Sequence, residues 1–102
     1  MFNSGKSGYT YIMSNKTRSV LYIGVTSDLC TRVYQHRNGE GSVFTIRYQC
    51  HDLGYFEYFE SIIDAIDREK QLKKWKRVWK EELIKKMNPE MKNLSGELGN
   101  HL

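Results

Sequence analysis

The chain has 102 residues and a mass of 12.1 kDa, which allows one domain around one modest core and excludes a multi-layer enzyme. Its 39% hydrophobic, 13% aromatic and 27% charged residues and its mean hydropathy of −0.65 read as a soluble globular domain. The formal net charge of +4 and pI near 9.1 favour a polyanionic partner without identifying one.

Residues 1–8 are polar and glycine-containing and read as a loose arm. They lack the apolar stretch of a secretory leader, and no later apolar run reaches membrane-span length, so a cytoplasmic setting with no membrane partner is expected. Tyr9 to Met13 and Val20 to Val25 are rich in β-branched and aromatic residues and flank Ser-Asn-Lys-Thr-Arg-Ser, a composition that predicts a hairpin. Pairing Tyr11 with Tyr22 puts both phenols on one face and Ile12, Leu21, Ile23 and Val25 on the other. Gly24 then faces the same side as Tyr22, opposite Tyr9, leaving room for a ligand or another backbone.

Thr26 or Ser27 can cap a first helix, with Asp28 in its first turn and Asn38-Gly39 at its end. Leu29 and Val33 form its apolar stripe, and Arg32 and His36, four apart, share the edge of that stripe. Cys30 reads as a packing residue rather than a nucleophile. Two cysteines, Cys30 and Cys50, make neither a disulfide framework nor a zinc pattern. Residues 40–51 show no clear period and read as a loop in which Thr45, Arg47 and Tyr48 could line a phosphate-binding surface. His51 reads as a surface residue, as does His101 near the end of the chain.

Leu53 to Phe59 alternates as a third strand with Phe56 and Tyr58 on one side. Ser61 caps the next helix in a capping-box-like start with Asp64, and Ile62, Ala65, Ile66 and Leu72 form its apolar side. Glu69 falls near the middle of that stripe, where an unpaired carboxylate is costly and calls for a cation, a metal or donors. From Arg68 to Lys86 nine basic residues face three acids, with Trp75 and Trp79 interleaved. Among these, Lys70, Lys73, Lys74, Lys76 and Arg77, together with Arg47, are the candidate nucleic-acid contacts, against the plainer reading of a solvated helix face. A third helix is expected from about Val78 to Met87, ending before Pro89. From Ser95 the chain reads as a polar, frayed tail. The expected architecture is therefore α/β of the α+β type, a small three-stranded antiparallel sheet with about three helices, in one domain over residues 9–94.

Taken singly, Tyr11 and Tyr22 read as a cross-strand aromatic pair, and Arg32 and His36 as a solvated face. Together with Tyr22-Ile23-Gly24 and Glu69, in this order and spacing, they resemble the GIY-YIG nuclease superfamily. The similarity runs from Tyr9 to Leu94 and is greatest to its small single-domain bacterial members. Tyr9 and Thr10 stand where the first half-motif has Gly and Ile, leaving Tyr11 to match. The resemblance implies an endonuclease that hydrolyses DNA phosphodiesters, in repair, recombination or DNA processing. One Mg²⁺ or Mn²⁺ per active site would be held by Glu69, and Arg32 would bind the scissile phosphate. Tyr11, assisted by His36, would act on the attacking water, Tyr22 would position water or phosphate, and Gly24 and Asn93 would lie at the site's periphery. Branched or single-stranded DNA would suit so small a chain, with a homodimer or a targeting partner supplying sequence specificity. A nucleic-acid-binding or adaptor module of the same fold without useful turnover is the alternative.

Overall fold

The computed structural model describes residues 5–100, and the expectation for His101 lies outside them. Three strands, β1 (Gly8–Ser14), β2 (Leu21–Thr26) and β3 (Asp52–Phe59), form an antiparallel sheet in the order β2-β1-β3. Four helices accompany it: α1 (Leu29–Arg37), α2 (Val43–Arg47), α3 (Ile62–Lys73) and α4 (Arg77–Met87), followed by a 3₁₀ turn at Ser95–Asn100.

The hairpin register differs from the expected one. Tyr11 lies opposite Gly24 and Met13 opposite Tyr22, a slide of two residues. The loop sets that slide: Asn15 accepts from the Val20 amide through its side chain at 3.0 Å, and Arg18 turns the chain at φ 64°. Because two residues are one full strand period, every side chain keeps its expected face. A bulge between Ile12 and Met13 then skips Gly54, so that Ile12 faces Tyr55 and Met13 faces Leu53.

The sheet is covered on both faces. Tyr11, Met13 and Leu53 pack with Leu29 and Val33 of α1 and with Leu94 and Leu98. Ile12, Ile23 and Tyr55 pack with Leu72 of α3 and Ile84 of α4, with Trp75 partly buried beside them. Ala65 is also fully buried, and its carbonyl accepts from the Thr10 hydroxyl at 2.7 Å.

Several local expectations change. Asp28 caps α1, in place of Thr26 or Ser27, accepting from the Thr31 amide at 3.1 Å and the Thr31 hydroxyl at 2.8 Å. Ser61 does cap α3, but its hydroxyl serves the Ile63 amide rather than the Asp64 amide of a capping box. Asn38 and Gly39 end α1, with Gly39 at φ +73°. Residues 43–47 are helical rather than loop because Ser42 caps them through the Thr45 amide. Gly8 already belongs to β1, and the Lys6 carbonyl accepts from Ile62, so the arm is tied down at this end. The tail is docked, with Leu98 only 5% exposed. Cys30 is exposed and packs into no core, whereas Cys50 is buried. Among the described residues no helix is long and apolar enough to cross a membrane.

Candidate active site

The site is built on β1, the central strand. Tyr11 points into the α1 face of the sheet and is 1% exposed. Its ring lies over Gly24 of the neighbouring strand, where a Cβ would stand 2.6 Å from the phenol oxygen and Cζ. Glycine at 24 thus admits the Tyr11 ring itself, a close approach by a side chain rather than by a ligand.

The last turn of α1 brings His36 down onto that phenol. Its Nε2 is 2.9 Å from the Tyr11 hydroxyl, and its Nδ1 is 3.1 Å from the Thr45 hydroxyl. Thr45, also buried, donates its own hydrogen to the Ser42 carbonyl at 3.0 Å. Its oxygen is then left to accept, so Nδ1 carries the imidazole proton and Nε2 is bare. The Tyr11 hydroxyl therefore donates to His36. Gly41 makes room for this chain, since a Cβ there would lie 2.2 Å from His36 Nδ1 and 2.6 Å from the Thr45 hydroxyl.

Both members of the pair are held uncharged. Burial pushes the Tyr11 phenol up to about 12; the Arg32 guanidinium beside it works the other way, and Tyr22 and Glu69 add to the rise. Burial also pushes His36 down to about 4, with Arg32 the next cause and His51 a smaller one. His51 is half-buried rather than a surface residue.

Tyr22 completes an aromatic wall, with its ring centroid 6.4 Å from that of Tyr11 and 5.6 Å from that of His36. Arg32 is half-buried one helical turn before His36 and donates to Gln35 Oε1 at 2.9 Å. Glu69 comes from the other layer: α3 packs on the opposite sheet face, against β1 and the edge strand β2. Ring contacts and the Tyr11–His36 hydrogen bond bring Tyr11, Tyr22 and His36 together, with Arg32 beside the Tyr11 hydroxyl. Glu69, expected in the same hollow, stands on the helix across the sheet and acts on the Tyr11 hydroxyl only by its charge, as the smallest of the influences there.

The Glu69 side chain is 17% exposed, and its Oε2 lies 3.1 Å from Lys73 Nζ. The cation that its place in an apolar stripe called for is thus supplied, at least in part, by the same helix. Among the described residues no three His, Cys, Asp or Glu side chains cluster as a metal cage. A lone half-buried carboxylate still fits Mg²⁺, which keeps several waters and takes further oxygens from a substrate phosphate.

The other candidates are more dispersed. Asn93 accepts from the Leu53 and Ser95 amides at 3.0 Å each, pinning the C-terminal segment to β3. Lys70, Lys73, Lys74, Lys76 and Arg77 are all exposed. Arg77, however, pairs with Glu81 at 2.9 Å and donates to the Ser19 and Arg18 carbonyls, tethering α4 to the hairpin loop. Lys76 lies over Trp79 at 5.6 Å, and Arg47 over Tyr48 at 5.7 Å. From the sequence Thr45 reads only as part of a phosphate-lining loop, and Gly41 is not among the expected site residues. The Ser42-x-x-Thr45 spacing of a helix start, so soon after His36, was the available signal.

A family model described as the GIY-YIG catalytic domain matches residues 7–82. A UPF0213 protein of Clostridium perfringens is 37% identical over 90 residues, covering 88% of this chain and 96% of its own. One from Haloquadratum walsbyi is 36% identical over 75 residues, 74% of this chain and 83% of its own. A third, from Pediococcus pentosaceus, is 32% identical over 88 residues, 86% and 93% of the two chains. No solved structure matches the chain at comparable significance.

Proposed function

The chain belongs to the GIY-YIG nuclease superfamily, and from that premise we propose that it is a divalent-metal-dependent endonuclease that hydrolyses DNA phosphodiester bonds. The observation that carries the reading is the buried chain Tyr11–His36–Thr45, in which His36 Nε2 lies 2.9 Å from the Tyr11 hydroxyl and Nδ1 lies 3.1 Å from the Thr45 hydroxyl.

A phenol whose pKa lies near 12 is no base at neutral pH. The relay supplies the missing step. As water attacks phosphorus, its proton passes to the Tyr11 oxygen while the Tyr11 proton passes to His36 Nε2. The Thr45 hydroxyl keeps Nδ1–H oriented throughout. Arg32 binds the scissile phosphate and offsets the charge that develops on it. The same contact helps His36, because an anion on Arg32 neutralises one of the charges that depress the imidazole. Tyr22 lines the position of water or phosphate. Glu69 would hold the Mg²⁺ or Mn²⁺ ion, which when bound supplies Lewis-acid stabilisation of the phosphate and leaving oxygen. Lys73, at Glu69 Oε2, would compete with the ion for that carboxylate.

That ion pair favours a second reading, a nucleic-acid-binding module of the same fold with little turnover. Cleavage of branched, nicked and single-stranded DNA in Mg²⁺ or Mn²⁺ separates the two. The nuclease reading expects metal-dependent products that vanish in Arg32→Ala and Glu69→Ala while DNA binding and thermal unfolding persist. Salt-sensitive binding with no products in either metal overturns it.

A further inference from the structure

The short helix α2 turns apolar and aromatic side chains outward. Val43 is 84% exposed, Ile46 48%, Tyr48 43% and Phe44 40%, although both sheet faces already have their own cores. These rings are ordered relative to the active site. Phe44 stacks on Tyr22 with centroids 5.8 Å apart at an interplanar angle of 29°, and Tyr48 follows Phe44 at 4.7 Å. A continuous row of aromatic faces therefore runs from Tyr11 through Tyr22 to the surface. The platform is fixed to the reacting groups, since Thr45, in the middle of α2, holds His36 through its hydroxyl and the Cys50 amide through its carbonyl at 2.9 Å.

We propose that Phe44 and Tyr48, with Arg47 beside them, form a stacking site for an unpaired nucleobase next to the scissile phosphate. The chemistry selects that occupant. Residues 41–50 contain no acid, their one charge is Arg47 over the Tyr48 ring, and the row reaches inward to Tyr22, whose ring meets those of Tyr11 and His36. Aromatic faces flanked by a guanidinium are a platform for bases of single strands. A base inside a duplex is stacked on both sides and offers no free face. The site would thus direct cutting to single strands, flaps and unpaired junctions.

This inference rests on the nuclease reading, and its test is arranged to fail separately from it. Binding of a fluorescent single-stranded oligonucleotide and of its duplex is measured by anisotropy in EDTA, where no cutting occurs. Phe44→Ala and Tyr48→Ala should each weaken single-strand affinity by about 5- to 150-fold, the range for losing one base–aromatic stack, with duplex affinity unchanged. Phe44→Trp should retain it. An oligonucleotide series carrying one abasic position should show a matching loss with the wild type and no further loss with Phe44→Ala. Equal losses for duplex and single strand, or none, overturn the proposal. So does an oligomer in sedimentation that Phe44→Ala dissolves, which would make this face a contact between copies. Absence of cleavage in Mg²⁺ with the stacking pattern intact would instead count against the nuclease reading alone.

Discussion

Replacing Thr45 by Val tests the proton assignment at the heart of the site. Valine keeps the shape and deletes the oxygen that accepts from His36 Nδ1 at 3.1 Å and donates to the Ser42 carbonyl at 3.0 Å. Both His36 and Thr45 are 1% exposed, so the stranded groups have little access to water. The cost of such an unmade buried bond is about 1–3 kcal/mol. In a domain of this size each kcal/mol lowers Tm by roughly 4–8 °C, so calorimetry should find a fall of at least about 4 °C. With no acceptor at Nδ1 the imidazole proton moves to Nε2, which then donates to the Tyr11 oxygen. The relay reverses. Cleavage should fall by about 100- to 10,000-fold, the usual reach of general acid–base catalysis. Thr45→Ser should restore both properties, since it keeps the oxygen. Nitrogen NMR of the His36 ring, assigned through His36→Gln, reads the tautomer directly. An unchanged tautomer in Thr45→Val would refute the reasoning whatever the effect on Tm.

Acid should destabilise the fold in a defined window. His36 remains neutral down to about pH 4, whereas the unfolded chain takes up that proton near 6.5. The unfolded state therefore binds more protons between these values, and stability falls as pH drops from about 6.5 to about 4, by up to about 3 kcal/mol. Denaturant titrations of wild type and His36→Gln should differ in slope across that window, and parallel curves would deny the buried neutral imidazole. At the alkaline end, difference absorbance against Tyr11→Phe should show the Tyr11 phenol ionising near pH 12 rather than near 10. Gly24→Ala should displace the Tyr11 ring, at a cost of about 1–3 kcal/mol for overpacking, and should raise the exchange rate of the Tyr11 hydroxyl by NMR. Lys73→Ala frees the Glu69 oxygen and should tighten Mg²⁺ or Mn²⁺ binding in calorimetry, whereas weaker binding would make Lys73 a supporting group.

Strand alternation and helix spacing revealed the layers well. Tyr11 and Tyr22 share a face, and Ile12, Ile23 and Leu72 share the other, as the period-two and period-3.6 patterns require. The same alternation could not reveal the register, because a slide of two residues leaves every face unchanged; the Asn15 bonds across the loop decide it. Residues 43–47 are too few to display a helical period, so α2 was invisible, and with it Thr45 as the partner of His36. Part of the burial of Tyr11 was also hidden, since Leu98 joins its core from a segment that reads as polar tail. Glu69 was conspicuous as an acid in an apolar stripe. What the stripe could not tell is that α3 lies across the sheet from Tyr11 and that Lys73, four residues on, already meets the carboxylate.

Single-turnover cleavage of an end-labelled single-stranded DNA in Mg²⁺, comparing wild type with Tyr11→Phe, asks whether the Tyr11 hydroxyl takes part in metal-dependent phosphodiester hydrolysis. Removal of one oxygen should slow cutting by at least about 100-fold while DNA affinity stays within a factor of about two. A Tyr11→Phe protein that cuts at the wild-type rate, or a wild type that cuts in neither Mg²⁺ nor Mn²⁺, would contradict it.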